Sequence, residues 1–186
     1  PLNFSPVLTW IKSRTNAYDH NLYDIVRGAD GQSGSSDKVL MTNKANAEEQ
    51  GNGDVTITNS GVTVVETGVG GSGNEVNLNG ANYISWNFKA GGAAVANTDG
   101  TINSQVSANN TLGFSIVGYT GNGSSGNVGH GLNAIPELII AKNLDGTNSW
   151  VVRVNSLGNG YLTLNATSSY STTSLWGNPT NSVFNF

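Results

Sequence analysis

The chain has 186 residues, room for one ordinary domain or two small ones, and 11% of them are charged against roughly 25% in an average soluble domain. With a formal charge of −4, its Ser/Thr/Asn/Gly-rich surface has no electrostatic hold on nucleic acid, which sets DNA and RNA aside as partners. Cysteine is absent, so disulfides and thiolate metal sites are unavailable, and no apolar run approaches the roughly 20 residues that cross a bilayer as a helix.

Along the chain, short β-branched runs bounded by Gly or Asn follow one another. PVLTWIKS opens the series at Pro6–Ser13, and Lys44–Gln50 (KANAEEQ) reads as one or two turns of helix. Strands are then predicted at Val55–Thr58, Val62–Val65, Tyr83–Phe88, Phe114–Tyr119, Leu138–Ala141, Trp150–Val154 and Tyr161–Leu164. LIIA is apolar on both faces, as a strand at a sheet centre or interface would be. The expected fold is all-β, an antiparallel β-sandwich of jelly-roll or concanavalin-like type, built as two related modules.

The modules are read from a repeat. Pro6, Leu8 and Lys12 return 130 positions later as Pro136, Leu138 and Lys142. VLMTN, ending at Asn43, returns as YLTLN, ending at Asn165, and Asn59-Ser60 returns as Asn181-Ser182, both at a spacing of 122. One shorter loop in the second copy accounts for the change of spacing, and duplicated units are the grammar of stacked modules. The predicted organisation is a first module over 1–90, an extended connector over 91–110 that is poor in large apolar residues, and a second module over 111–186. The first copy ends in YISWNFKAG, a strand the second does not reach, and the second carries a lead-in, GFSIVGYTGNG, that the first lacks. A chain that starts at Pro1 in mid-repeat is expected to be a processed product or a piece of a longer array. The edge near Val183–Phe186 is then expected to be open for a neighbouring subunit to pair with.

Chemistry-bearing residues are sparse. Asp19 and Asp24 flank His20, and Glu48-Glu49 lie side by side, but neither pair sits where two acids converge on a cleft, so both read as solvated surface acids. His130, between two glycines, reads as a turn residue bonded to its own loop, since a lone His without Cys or a second His assembles no zinc set. Ser124 and Ser125 have no nucleophile frame around them. Asn97, Asp99 and Gly100, and Asp145 with Asn148, are oxygen-rich turns of a kind that can hold Ca²⁺, yet both lack the acidic spacing of a calcium loop and read as turn formers. GNEVNLNGAN (73–82) and TGNGSSGN (120–127) carry no P-loop Lys and open no helix, so they read as flexible tips or hairpin turns. Neither a metal nor a cofactor is expected, and no catalytic set. Trp10, Trp86 and Trp150 fall inside strand-like runs and read as core; Trp176 and Tyr170 fall on loops and are the candidates for receptor or glycan contact.

Four segments carry a family resemblance: WIKSR (10–14), YISWNFKAGGAAVANTDGTINSQVSAN (83–109), GFSIVGYTGNG (113–123), and VGHGL with PELIIAKN (128–132 and 136–143). Together they resemble a module common in marine bacteriophages, especially cyanophages, in tail-fibre-like and other virion appendage proteins. The resemblance implies a phage structural protein of β-sandwich fold, exposed on the virion and touching the host surface; the expected partners are further copies of the chain, other virion proteins and host-surface glycan. A trimer is the expected state, since closed cyclic symmetry is usual for fibres. It carries over no catalytic residues. A capsid decoration protein and a carbohydrate-binding module are the competing readings. Where the family shows Gly-Leu-Gly after the His, this chain has Gly131-Leu132-Asn133, and Asn tolerates the left-handed conformation best after Gly.

Overall fold

The computed structural model describes residues 2–29, 38–51, 53–65 and 75–185. Among them the chain is all-β, with several antiparallel sheets as the β-sandwich class requires and one 3₁₀ turn at Asn155–Leu157. In chain order the strands are β1 (Leu8–Ser13), β2 (His20–Asp24), β3 (Lys38–Met41), β4 (Glu49–Gln50), β5 (Val55–Thr58), β6 (Gly61–Val64) and β7 (Tyr83–Phe88). They continue as β8 (Val95–Asn97), β9 (Ser104–Asn109), β10 (Phe114–Tyr119), β11 (Asn127–Gly129), β12 (Leu138–Ala141), β13 (Val151–Val154), β14 (Leu162–Thr163) and β15 (Val183–Asn185).

Two compact units divide the chain: Pro1–Lys89 with Asn143–Ser149, and Ala90–Lys142 with Trp150–Phe186. In the first, a five-stranded sheet of order β4-β3-β2-β1-β7 and the β5–β6 hairpin enclose a core. Alternation turns Ile11, Tyr23 and Val39 inward from the sheet to meet Val55, Ile57 and Val76. An isolated hairpin is marginal in water, and burying Val55 and Ile57 in this core is what holds β5–β6 in place. In the second unit, sheets β10-β9-β8, β11-β15 and β12-β13-β14 surround Val128, Trp176 and Phe184.

The helix expected at Lys44–Gln50 does not form. Helix propensity is a weak preference that tertiary bonds override. Here Lys44 Nζ lies 2.6 Å from Asp19 Oδ2, Glu48 bonds Arg27, and Glu49 and Gln50 pair with Val39 and Lys38 as β4. The connector expected over 91–110 is likewise ordered sheet, β8 and β9, and belongs to the second unit. Its lack of large apolar side chains reflects close backbone packing: a Cβ at Gly91 would run into the Ala108 carbonyl, and one at Gly100 into the Asn127 carbonyl. Ser107 Oγ donates to Gly92 O at 2.6 Å and Ser104 Oγ to Gly129 O at 3.0 Å, so small hydroxyls do the joining that large side chains do elsewhere.

The repeat is visible in the pairing. Leu8 stands opposite Asp24 and Leu138 opposite Val154, both partners displaced by 130; Asn21 stands opposite Met41 and Val151 opposite Thr163, displaced by 130 and 122. Bonds outside the ladders follow the same displacement. His20 N donates to Asn43 Oδ1, and Trp150 N to Asn165 Oδ1, each at 2.9 Å. Ile25 N donates to Val7 O and Asn155 N to Glu137 O; Ser60 N donates to Thr58 Oγ1 and Ser182 N to Thr180 Oγ1. The recurring Asn, Thr and Ser thus close backbone groups that the ladders leave over.

Near Val183–Phe186 the edge expected to be open is paired on one side, and on the other Thr180 N donates to Val183 O and Gly177 N to Asn185 O. Val183, Phe184 and Asn185 pair with Gly129, Val128 and Asn127 of β11; Phe186 lies outside the described residues. The repeat differs elsewhere: β1 has β2 on one side and β7 on the other, whereas β12 has β13 on one side and no strand among the described residues on the other.

Candidate functional site

A row of large apolar side chains lies in solvent on the outer face of the first unit's sheet. Trp86 stands opposite Trp10, Phe88 opposite Leu8 and Ile84 opposite Lys12. The period of two puts these six on one face, and the other face of β7 turns inward, where Ser85 Oγ lies 3.0 Å from Thr9 Oγ1. Trp86, Ile84 and Phe88 are 45%, 40% and 38% exposed. The Trp10 and Trp86 ring centroids are 5.8 Å apart with the planes tilted by 55°. Trp10 and Trp86 are therefore not the core residues expected, although Trp150 is buried. Sequence could not reveal this, because Ile-x-Trp-x-Phe is the set that normally turns inward; only the pairing with β1 shows that Ser85 and Asn87 take that side.

The two loop candidates behave otherwise. Trp176 is 2% exposed and packs with Val128 and Phe184, so it offers no ring to a ligand. It does lie on a loop, but the second unit's inner sheets leave a space that this indole fills. Tyr170 is half-buried, and its hydroxyl donates to Leu157 O at 2.6 Å and accepts from Gly160 N at 3.0 Å. That phenol clamps the 3₁₀ turn to the following loop, which is a structural task.

The acids are not the solvated groups expected. Asp19 is buried, pairs with the exposed Lys44, and accepts from Asn43 Nδ2 at 2.8 Å. Arg27 lies 2.6 Å from Asp24 Oδ2 and 3.0 Å from Glu48 Oε1, and Lys38 lies 3.1 Å from Glu48 Oε2. An open groove of about 670 Å³ runs beside β6 and β7, lined by Thr58, Ser60, Val62, Val64, Tyr83 and Asn87 among others; none of its described lining residues is an acid, a His or a Lys. Asn97 and Asp99 bond each other across their turn, as do Asn143 and Asp145, which are Asx turns. Among the described residues no three His, Cys, Asp or Glu side chains gather as a metal set would. Asn122 caps the turn at Ser124, but the segment 120–127 is not a hairpin tip, since it joins β10 to β11, which lie in different sheets; Gly73 and Asn74 of the other glycine-rich loop lie outside the described residues.

His130 is a buried residue of its own loop. Leu132 N–H points at Nδ1 at 3.2 Å, so that nitrogen accepts, and Nε2–H then donates to Thr180 O at 3.2 Å. The loop turns through Gly131 (φ 68°) and Asn133 (φ 55°), the left-handed position expected of this Asn. Burial pushes the imidazole below its ordinary value of 6.5, opposed by the Thr180 bond and by Asp99. The unfolded chain therefore takes up a proton near pH 6.5 before the folded one does, and stability contributed here is present above that pH and lost as pH falls below it. Urea unfolding at pH 7.5 and 5.5 should show the drop, reduced in His130→Asn, whose carbonyl can still accept from Leu132. Equal pH dependence in the two proteins would contradict it.

A family model described as a domain of unknown function (DUF7483) matches residues 1–186. No curated protein and no solved structure matches the chain.

Proposed function

The chain belongs to the DUF7483 domain family, and we propose that it is a structural virion protein of a bacteriophage, a tail fibre or fibre-like appendage that adheres to the host surface. In this reading it has no catalytic role, holds no cofactor, and forms a closed homo-oligomer, a trimer, displayed on the particle. Two related sandwich modules of jelly-roll or concanavalin-like type are part of the same proposal. The observation that carries it is the row Ile84, Trp86, Phe88, exposed beside Trp10 on the outer face of a sheet. Soluble proteins rarely leave such a row in water unless it meets a partner. The resemblance of 83–109 and 113–123 to phage appendage modules supplies the kind of partner.

Exposed Trp86 also favours a carbohydrate-binding module, since one ring can stack on a sugar face. The 55° tilt against Trp10 weighs against a flat two-ring platform. A capsid decoration protein would differ only in where it sits on the particle.

Antibody raised against the purified chain should label appendages of the phage particle, and the chain should compete with particles for adsorption to host cells. Trp86→Ala should weaken that competition by about 2 kcal/mol, since large aromatic anchors dominate such contacts. It should leave folding nearly unchanged, because the ring is half in solvent. Particles without the antigen, or full competition by the variant, would overturn the reading. Label on the capsid shell would favour decoration, and binding to free glycan by a protein missing from particles would favour the carbohydrate module.

A further inference from the structure

The outer edge of β12 has no strand beside it among the described residues. Glu137 O accepts from Asn155 N at 2.8 Å, which assigns the odd-numbered residues of β12 to β13. In an antiparallel ladder bonding alternates, so the main-chain groups of Leu138 and Ile140 turn to the open side. In the first unit the displaced equivalents, Leu8 and Trp10, point the same way and meet Phe88 and Trp86; Arg14 N donates to Asn82 O at 2.7 Å in the same register. Covered by β7, Leu8 and Trp10 are half-buried. Uncovered, Leu138 and Ile140 are 55% and 46% exposed. Nothing charged guards the strand itself, whose sequence is Leu-Ile-Ile-Ala, contrary to how exposed edges are usually blunted.

We propose that this edge takes up, in antiparallel register, an extended segment of another polypeptide chain that alternates as Tyr83–Phe88 does. Its three apolar residues of one face would flank Leu138 and Ile140, and its small polar residues would face the other way. The register also matches charge. Glu137 is exposed and stands at the place of Val7, whose N–H donates to Phe88 O at 2.8 Å, one residue before Lys89. The inference stands on the edge alone and not on the virion reading.

The probe is a synthetic peptide of residues 82–89 added to the whole chain, with amide hydrogen exchange as the readout. Exchange at Leu138 and Ile140 should slow on addition. N-methylation of the peptide at Ile84 and Trp86, whose amides face the acceptor strand in this register, should weaken binding by about tenfold or more, and N-methylation at Ser85 and Asn87 should not. Glu137→Lys should weaken the peptide, and a Lys89→Glu peptide should recover the loss. Unchanged exchange at the two amides, or equal effects of the two methylated peptides, would overturn the proposal. So would Leu138 and Ile140 amides already protected in a concentration-dependent dimer without peptide, for then the occupant is a second copy of β12.

Discussion

Trp176→Ala is expected to destabilise the second unit by about 3–5 kcal/mol, the range for deleting a buried aromatic side chain. The indole is 2% exposed in a cluster whose other buried members among the described residues are Val128 and Phe184, with Ile102, Val117, Ile139 and Tyr161 packed around it. A core of that size has few neighbours that can move in to fill the void. Native domains are stable by about 5–15 kcal/mol in total, so the loss should unfold much of the unit near physiological temperature. Urea denaturation followed by near-ultraviolet circular dichroism gives the magnitude, and exchange at the β11 and β15 amides locates it. Trp176→Phe should cost less, since a ring remains. A surface residue that recognises a receptor would behave oppositely, with folding intact and binding gone, and an unfolding midpoint near that of the parent would return Trp176 to that role.

Strand chemistry was legible in the sequence where alternation and turn residues agree. Val55–Thr58, Tyr83–Phe88, Phe114–Tyr119 and Leu138–Ala141 fall where the β-branched and aromatic runs put them. The repeat was legible too, because Asn43 and Asn165, and Thr58 and Thr180, make equivalent bonds and so recur as letters. β8 and β9 were hidden because their packing depends on glycine and serine, which read as linker when no large residue marks a core. The helix at 44–50 was misread because its acids and lysine are held by partners distant in the chain. The candidate site was the least legible part. Which face of a strand meets solvent is decided by its neighbour, and β7 and β1 are about 75 residues apart in sequence, a separation local patterning does not reach. Trp176, expected in solvent, is buried, and Trp86, expected in the core, is exposed.

Arg27→Ala is expected to cost the first unit about 3–5 kcal/mol, the range for removing one partner of a buried ion pair. The guanidinium is 10% exposed and spends its donors in four directions: Nε on Asp24 Oδ2 at 2.6 Å, Nη1 on Glu48 Oε1 at 3.0 Å and Lys38 O at 3.2 Å, and Nη2 on Leu22 O at 3.0 Å. It thereby ties the end of β2, the start of β3 and the segment entering β4 to one point. With alanine there, Asp24, itself buried, keeps among the described residues the Arg27 backbone N–H that already caps it at 3.0 Å, and Glu48 keeps the partly exposed Lys38. Arg27→Lys should rescue little, since a single ammonium cannot span two carboxylates and two carbonyls. The discriminating variant is Arg27→Met combined with Asp24→Asn and Glu48→Gln. It removes the charges together, leaves no carboxylate orphaned, and should recover much of the loss that Arg27→Met alone incurs. The displaced equivalent of Arg27 is Leu157, half in solvent, so the second unit holds the same strand register without this network. The ladder and core therefore set the register in both units, and the ion network fastens only the β2–β4 end of the first. Exchange measurements on Arg27→Ala should show β3 and β4 amides opening before those of β1 and β7. A cost under about 1 kcal/mol would instead place the guanidinium among solvent-screened surface pairs.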